Sequence, residues 1–228
     1  MIDGRTVRVD PHVHTEASYD GHSSPEDLLA AASQVGLDAV VVTDHDSVSG
    51  AHAAAALASD RNIVVIIGCE VSTADGHLLA IGVDDRPDPH RSLAATARWI
   101  RDRGGVAVVP HPFQRLRHGA SRDGIAAVDG IEVYNAHTVS NVRNAQARRF
   151  AARRGYAHFG GSDAHRPRTV GLAATEVSLP PRTPATAESI VRAMRNGRTT
   201  TVGGRTSTWQ YVTKLFTTAR LRAAALRR

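Results

Sequence analysis

The sequence predicts an α/β fold built on a parallel sheet, and three observations carry that expectation. Short β-branched runs alternate with Ala-rich helical stretches along the chain. The run IVVII at 63–67 is apolar throughout, as expected of a strand buried on both faces. A length of 228 residues suits one such domain, or one domain with a short appendix.

Eight strands are expected, at 7–10, 39–43, 63–68, 78–83, 106–109, 130–134, 157–160 and 175–179. Helices fall between them. Ser24-Pro25-Glu26-Asp27 supplies an N-cap, a proline for the first helical position and two acids at the positive helix end. That helix should run to about Val35 and stop at Gly36. Ser49 opens a second through Ala58, and others should cover 92–103, 142–154 and 187–196. The stretch DDRPDP at 84–89 is too charged and proline-rich for anything but a loop. No internal repeat is present, and Gly203-Gly204 marks the boundary expected between a 1–202 domain and a 203–228 tail.

Charge divides along the same line. The chain carries 28 Lys+Arg against 22 Asp+Glu, a formal +6. Residues 1–188 hold 19 of the bases and all 22 acids, whereas 189–228 hold nine bases and no acid. A uniformly basic nucleic-acid coat is therefore excluded. Aromatics are only 4%, so the core must be rich in Ala and Val. The single Cys69 excludes a disulfide framework and predicts a reducing compartment. No stretch approaches the roughly 18 consecutive apolar residues of a spanning helix. The opening MIDGRTVRVD lacks an apolar signal-peptide core, so a soluble, cytoplasmic protein is expected.

Twelve histidines stand out, and their positions give them meaning. Asp10-Pro11-His12-Val13-His14 follows the first strand, where residues two apart point the same way and can converge on one metal. Thr43-Asp44-His45 ends the second strand, and Gly68-Cys69-Glu70 the third. Pro110-His111-Pro112 and Gly161-Ser162-Asp163-Ala164-His165 follow two later strands. Five strands each release a His, Asp or Glu at the C-terminal end, the end that faces one mouth in βα barrels. Nitrogen and carboxylate donors without thiolates point to Mn²⁺, Zn²⁺ or Fe²⁺.

D-x-H-x-H-T, S-x-D-G, T-D-H-D, G-x-E, H-P and G-S-D-A-H, in this order, resemble the PHP (polymerase and histidinol phosphatase) family over about residues 7–178. The compact chain is more similar to stand-alone PHP phosphoesterases than to the domain embedded in replicative polymerases. The resemblance implies a distorted (β/α)7 TIM-like barrel with two to three divalent ions, Mn²⁺ foremost, at the C-terminal strand ends. By motif, His12 and His14 would hold a first metal with Glu70 and Asp163. Glu70 would bridge to a second held by His77 and His111, and Asp20, His45 and His165 would hold a third. Some family members carry His where Asp20 stands, and His77 matches only through its distance from Glu70. Two or three such ions bind phosphate oxygens and lower the pKa of a water, so hydrolysis needs no protein nucleophile. Cys69 beside Glu70 fits no nucleophile pattern and reads as a buried strand-end residue.

Other residues keep two readings. Asp10 and Asp44 either orient the metal-binding histidines or cap strand ends. His137 either protonates a leaving group or is a polar loop residue, and Asn135 either meets substrate or makes a turn. Phosphate calls for a guanidinium fork, and Arg143 is the first candidate, with Arg115, Arg117, Arg166 and Arg168 as the others. The tail is a docked helix carrying Trp209 and Phe216, a weak nucleic-acid contact or an anionic-membrane contact.

The expected activity is metal-dependent hydrolysis of phosphate esters of nucleotide type, either nucleoside bisphosphates or the 5′ end of short oligonucleotides. Three competitors stand beside it: a histidinol-phosphate phosphatase, an amidohydrolase and a non-catalytic nucleic-acid-binding PHP module. An amidohydrolase normally brings a bridging Lys, and Lys214 in the tail is the only one here. A degenerate module should have lost ligands, yet every ligand position is filled. Oligomeric state is not legible.

Overall fold

A computed structural model describes residues 4–59, 61–138 and 141–203. Its elements run β1 (Arg5–Val13), α1 (Pro25–Gln34), β2 (Ala39–Val42), α2 (Ser49–Leu57), β3 (Val64–Thr73), β4 (Gly76–Ile81) and α3 (Leu93–Asp102). Then follow β5 (Val106–Val109), β6 (Gly130–Asn135), α4 (Asn141–Arg154), β7 (Ala157–Gly161), β8 (Ala173–Leu179), α5 (Ala187–Arg195) and β9 (Thr199–Gly203). One sheet of nine strands, in the order β7-β6-β5-β4-β3-β2-β1-β8-β9, wraps into a nearly closed barrel. The tail after Gly203, including Trp209, Lys214 and Phe216, lies outside the described residues. No described helix is long and apolar enough to cross a membrane.

The sheet is mixed, where a parallel one was expected. β1, β2 and β3 pair in parallel, as do β5, β6 and β7. β4 runs antiparallel to both neighbours, and β8 runs antiparallel to β1 and β9. The cause at β4 is local. Only Ala74 and Asp75 separate β3 from β4, and so short a connection can form a hairpin but not a crossover. β4 therefore begins at the mouth, where the parallel strands end. β9, a Thr-rich and half-exposed strand, carries no apolar run and was not expected from the sequence.

The seam between β7 and β8 is held by one hydroxyl. Thr175 Oγ1 accepts from the Gly160 amide and donates to the Gly160 carbonyl, both at 2.9 Å. Gly160 must lack a side chain, because a Cβ there would sit 2.5 Å from Thr201 Cγ2 of β9.

The barrel interior is filled by Val9, Val41, Ile66, Leu79, Val108 and Phe159, with Ile190 and Met194 of α5 joining the same cluster. Leu28, Leu29 and Ala51 pack α1 and α2 outside β1 and β2, and Ile100, Phe150 and Ala151 do the same for α3 and α4. The expected helix start is present: Pro25 opens α1 and Ser24 Oγ accepts from the Asp27 amide at 3.1 Å, a cap worth about 1 kcal/mol. The IVVII run differs from expectation. Val64, Val65 and Ile67 are half-buried, because Val65 and Ile67 line an open cleft beside Gly82 and α5.

Candidate metal centre

β1 carries His12 and His14 to the mouth, both fully buried. Their Nε2 atoms lie 3.1 Å apart. Glu70 reaches them from β3, its Oε2 lying 3.2 Å from His12 Nε2 and 3.3 Å from His14 Nε2. Its other oxygen, Oε1, lies 2.9 Å from His77 Nδ1 and 3.0 Å from His111 Nε2. One carboxylate thus faces two separate histidine pairs. His77 arrives from the start of β4, opposite Ser72, because the antiparallel hairpin turns that end toward the mouth.

Asp163, past the end of β7, closes the first pair. Its Oδ1 lies 3.8 Å from His12 Nε2 and 3.7 Å from His14 Nε2. A third group gathers where Asp20 Oδ2 lies 3.0 Å from His165 Nε2 and 3.5 Å from His45 Nε2, with His14 beside them. Ser18 Oγ donates to Asp20 Oδ1 at 3.0 Å and steadies it. The nine proposed ligands therefore converge in one mouth.

The electrostatics are those of a cluster built around cations. Burial raises the cost of charge on Glu70 and Asp163, yet neighbours override it. His12 and the hydrogen bonds from His111, His12 and His14 hold Glu70 well below the usual carboxylate range. His12, Arg117 and nearby His137 do the same for Asp163. The imidazoles divide. Burial pushes His14 down to about 4, whereas for His12 the charges of Asp163, Glu70 and Glu132 outweigh burial and hold it high. Of the two facing Nε2 atoms one can donate to the other, and the opposite shifts put that proton on His12.

The residues present fit divalent ions. His45 Nδ1, His111 Nδ1 and Asp163 Oδ1 are buried without hydrogen-bond partners, a cost that native structures rarely leave unmet. Three-residue sets with ligand atoms close enough for one ion include His12-His14-Glu70, His45-Glu70-His77 and His12-His111-Asp163. The donors are nitrogen and oxygen only, which suits Mn²⁺, Fe²⁺ or Zn²⁺.

For the supporting residues Asp10 and Asp44 the structure shows the capping alternative, and it adds one residue the sequence reading did not name. Asp10 and Asp44 bond no imidazole. Asp10 accepts from the amides of Ser162 (3.0 Å), Gly171 (2.9 Å) and His12 (3.4 Å), tying β1 to the segments around β7 and β8. Burial pushes its carboxyl up to about 6. Asp44 accepts from the Thr15 amide at 2.6 Å and hydroxyl at 2.7 Å, and so pins the loop after β1. Histidine orientation falls instead to Glu132 of β6, which the sequence reading missed. Its Oε1 accepts from His12 Nδ1 at 3.2 Å, and its Oε2 takes the His111 amide at 2.7 Å and Asn135 Nδ2 at 2.8 Å. Asn135 also donates to Asp163 Oδ2 at 2.9 Å. The acidic residue between the apolar positions of IEV was the available signal.

His137 sits at the rim, 43% exposed, its Nδ1 3.6 Å from Asp163 Oδ1. Among the arginines, Arg117 rather than Arg143 meets the centre, pairing with Asp163 and donating to Asn135 Oδ1 at 3.4 Å. Arg143 points along its own helix to Gln146 Oε1 at 2.8 Å and lines a neighbouring cavity with Arg115. Arg166 lines another, beside Asp20, His137 and Asp163. Cys69 is buried, its thiol pushed up to about 12 chiefly by desolvation.

Comparison with known proteins agrees with this geometry. The model of the PHP domain matches residues 10–162, and that of a PHP-associated region matches 141–199. An uncharacterized protein of Methanocaldococcus jannaschii is 26% identical over 149 residues, 60% of this chain and 87% of that one. A 5′-3′ exoribonuclease of Haemophilus influenzae is 28% identical over 136 residues, 58% of this chain, which spans 49% of that enzyme's length. A two-domain Bacteroides vulgatus protein, described as containing a predicted PHP-like metal-dependent phosphoesterase, shares the fold at a TM-score of 0.74 and 22% identity, over 88% of this chain and 65% of its own. With the family model covering well over half its length, and the barrel and its histidine-rich mouth in place, the chain belongs to the PHP domain family.

Proposed function

We propose that the protein is a metal-dependent phosphoesterase acting on phosphate esters of nucleotide type, by hydrolysis. The observation that carries this reading is Glu70, whose two oxygens face His12 and His14 on one side and His77 and His111 on the other. That is the arrangement of a carboxylate shared between two cation sites. Divalent ions held there would lower the pKa of a water and offset charge on the phosphoryl oxygens. The chain's own residues set the geometry. Glu132 fixes His12 with its Nδ1–H outward, so that Nε2 faces the centre. Asn135 orients Asp163. Arg117, beside Asp163, offers a forked donor to a phosphate entering from the mouth. His137, half in solvent, is placed to carry a proton to a leaving oxygen.

The nucleotide part of the proposal draws support from the exoribonuclease relative and from the cationic side chains around the mouth. Nucleoside bisphosphates and the 5′ ends of short oligonucleotides are the substrates to try first. The test is phosphate release across those two classes, histidinol phosphate and p-nitrophenyl phosphate with added Mn²⁺, on protein purified without chelators and assayed for bound metal. Two to three metal equivalents with turnover of a nucleotide ester support the proposal. A folded, metal-free protein inactive on every ester sinks it.

A further inference from the structure

Three hollows lie in a row across the mouth. The middle one, about 250 Å³, is the metal centre, walled by Asp20, His45, Glu70, His77, His111 and His165. On one side Leu116 and Arg117 separate it from a cavity of about 530 Å³. On the other, Asp20 and His165 separate it from a cavity of about 400 Å³. Shared lining residues set both flanks directly against the metal centre, a trough of three adjacent hollows.

The larger flank has a single-signed lining. Arg115, Arg117, Arg122 and Arg143 contribute to it, with neutral donors and acceptors between them and no Asp or Glu. Among the described residues, no carboxylate lies within ion-pair distance of Arg115, Arg122 or Arg143. Elsewhere on the surface arginines do find acids, as in Arg61–Glu26 and Arg192–Glu188. Arg122 instead lies over the Phe113 ring at 5.5 Å, and Arg143 bonds a neutral amide. Unneutralised guanidinium groups converging on one concavity make a site for an anion. The far flank differs: Arg166 and Arg168 line it together with Asp20 and Asp163, so its lining is of mixed sign. At the rim of the middle hollow Tyr19, 81% exposed, lies nearly parallel to the His45 ring at 4.7 Å, presenting its other face to solvent. An exposed aromatic face beside a cationic groove is the pairing by which single strands are held, bases on the ring and phosphates on the cations.

We propose that the cavity of Arg115, Arg122 and Arg143 is a second phosphate site, holding the phosphate next to the one at the metal centre. The ligand is then a single-stranded oligonucleotide laid along the trough rather than a lone mononucleotide. The inference rests on the phosphoesterase reading for the identity of the central site, and extends it to the substrate's length.

The test is fluorescence anisotropy on the metal-loaded protein, with phosphorothioate hexanucleotides of DNA and RNA and the matching 5′-mononucleotides. The native protein should bind at least one hexanucleotide about tenfold or more tighter than its mononucleotide, with the salt slope of a multi-phosphate contact, roughly −0.7 per phosphate. Arg115→Ala/Arg122→Ala/Arg143→Ala should remove the length preference and flatten that slope. Arg122→Glu alone, a surface charge reversal that spares the fold, should weaken the hexanucleotide more than the mononucleotide. Arg153→Ala, on the outer face of α4, should change neither. Equal affinity for long and short ligands, or a preference that survives the arginine variants, overturns the inference. So does an equal loss from Arg153→Ala, which would mark diffuse charge rather than a site. Hydrolysis of p-nitrophenyl phosphate by the native protein keeps the two proposals separable. Turnover without length preference rejects the second site alone. Arginine-dependent length preference in a protein that hydrolyses no ester rejects the phosphoesterase reading alone.

Discussion

His12 and His14 aim their Nε2 atoms at each other across 3.1 Å, inside a shell closed by the carboxylates of Glu70 and Asp163. A proton on His12 bridges the pair when no metal is bound, and a divalent ion held between the imidazoles and the acids would displace it. His14→Ala and Asp163→Ala should each lose bound metal and turnover, by more than the roughly 10–100-fold that a supporting residue costs. Far-UV circular dichroism should show the barrel intact. Near-normal activity in both variants would refute the assignment of this first site.

Glu132 predicts a graded loss. Glu132→Gln keeps shape but weakens the acceptor for His12 Nδ1, and should lower metal affinity by about 10–100-fold. Gly161→Ala approaches the same bond from outside, since a Cβ there would lie 2.4 Å from Glu132 Oε1 and 2.8 Å from His12 Cβ. Titration calorimetry with Mn²⁺ should find both weakened. Wild-type affinity in Glu132→Gln would show that the imidazole needs no such anchor.

Removing metal should cost stability as well as activity. Ions that bind only the folded chain contribute about 4 kcal/mol at roughly a thousandfold excess over Kd. For a chain of this size that corresponds to a fall in Tm of roughly 8–16 °C on chelation. Differential scanning calorimetry with and without EDTA measures it. An unchanged Tm would mean that the buried His and carboxylate groups are satisfied without metal.

Cys69 should be inert. It is fully buried, and desolvation pushes its thiol up to about 12, so little thiolate exists at neutral pH. Iodoacetamide should label the protein only after denaturation, and Cys69→Ala should retain turnover. Inactivation of the native protein by the reagent would bring the thiol back into the chemistry.

Much of this site is legible in the sequence because a strand end fixes where the next residue goes. His12 and His14 share a side by the two-residue period of an extended chain, His45 and His111 each follow a short β-branched run, and Asp163 follows the expected strand at 157–160. What stays hidden depends on pairing. The antiparallel course of β4 is set by the two-residue turn Ala74-Asp75, marked in the sequence only by the Asp75-Gly76 pair at its exit, where Gly76 takes a positive φ. Glu132 looks like an ordinary outward residue of a strand until the barrel curls it inward against His12. Arg117 outranks Arg143 only because the chain between His111 and Ala120 folds back over the mouth, where the Gln114 and Ala120 carbonyls accept from the Gly119 and Phe113 amides. That reversal has no periodicity to read.

The two-residue turn also sets an order of events. Glu70 and His77 meet across seven positions of one hairpin, whereas His12 and Glu132 must meet across 120. Closing the short loop takes place on the microsecond scale of hairpins, and the long closure waits on most of the barrel. By sequence separation alone, the Glu70–His77 pairing is expected to close ahead of the pairings that need β6 and β7. The mouth is in that sense joined from a local half, supplied by one hairpin, and a long-range half that needs the whole barrel.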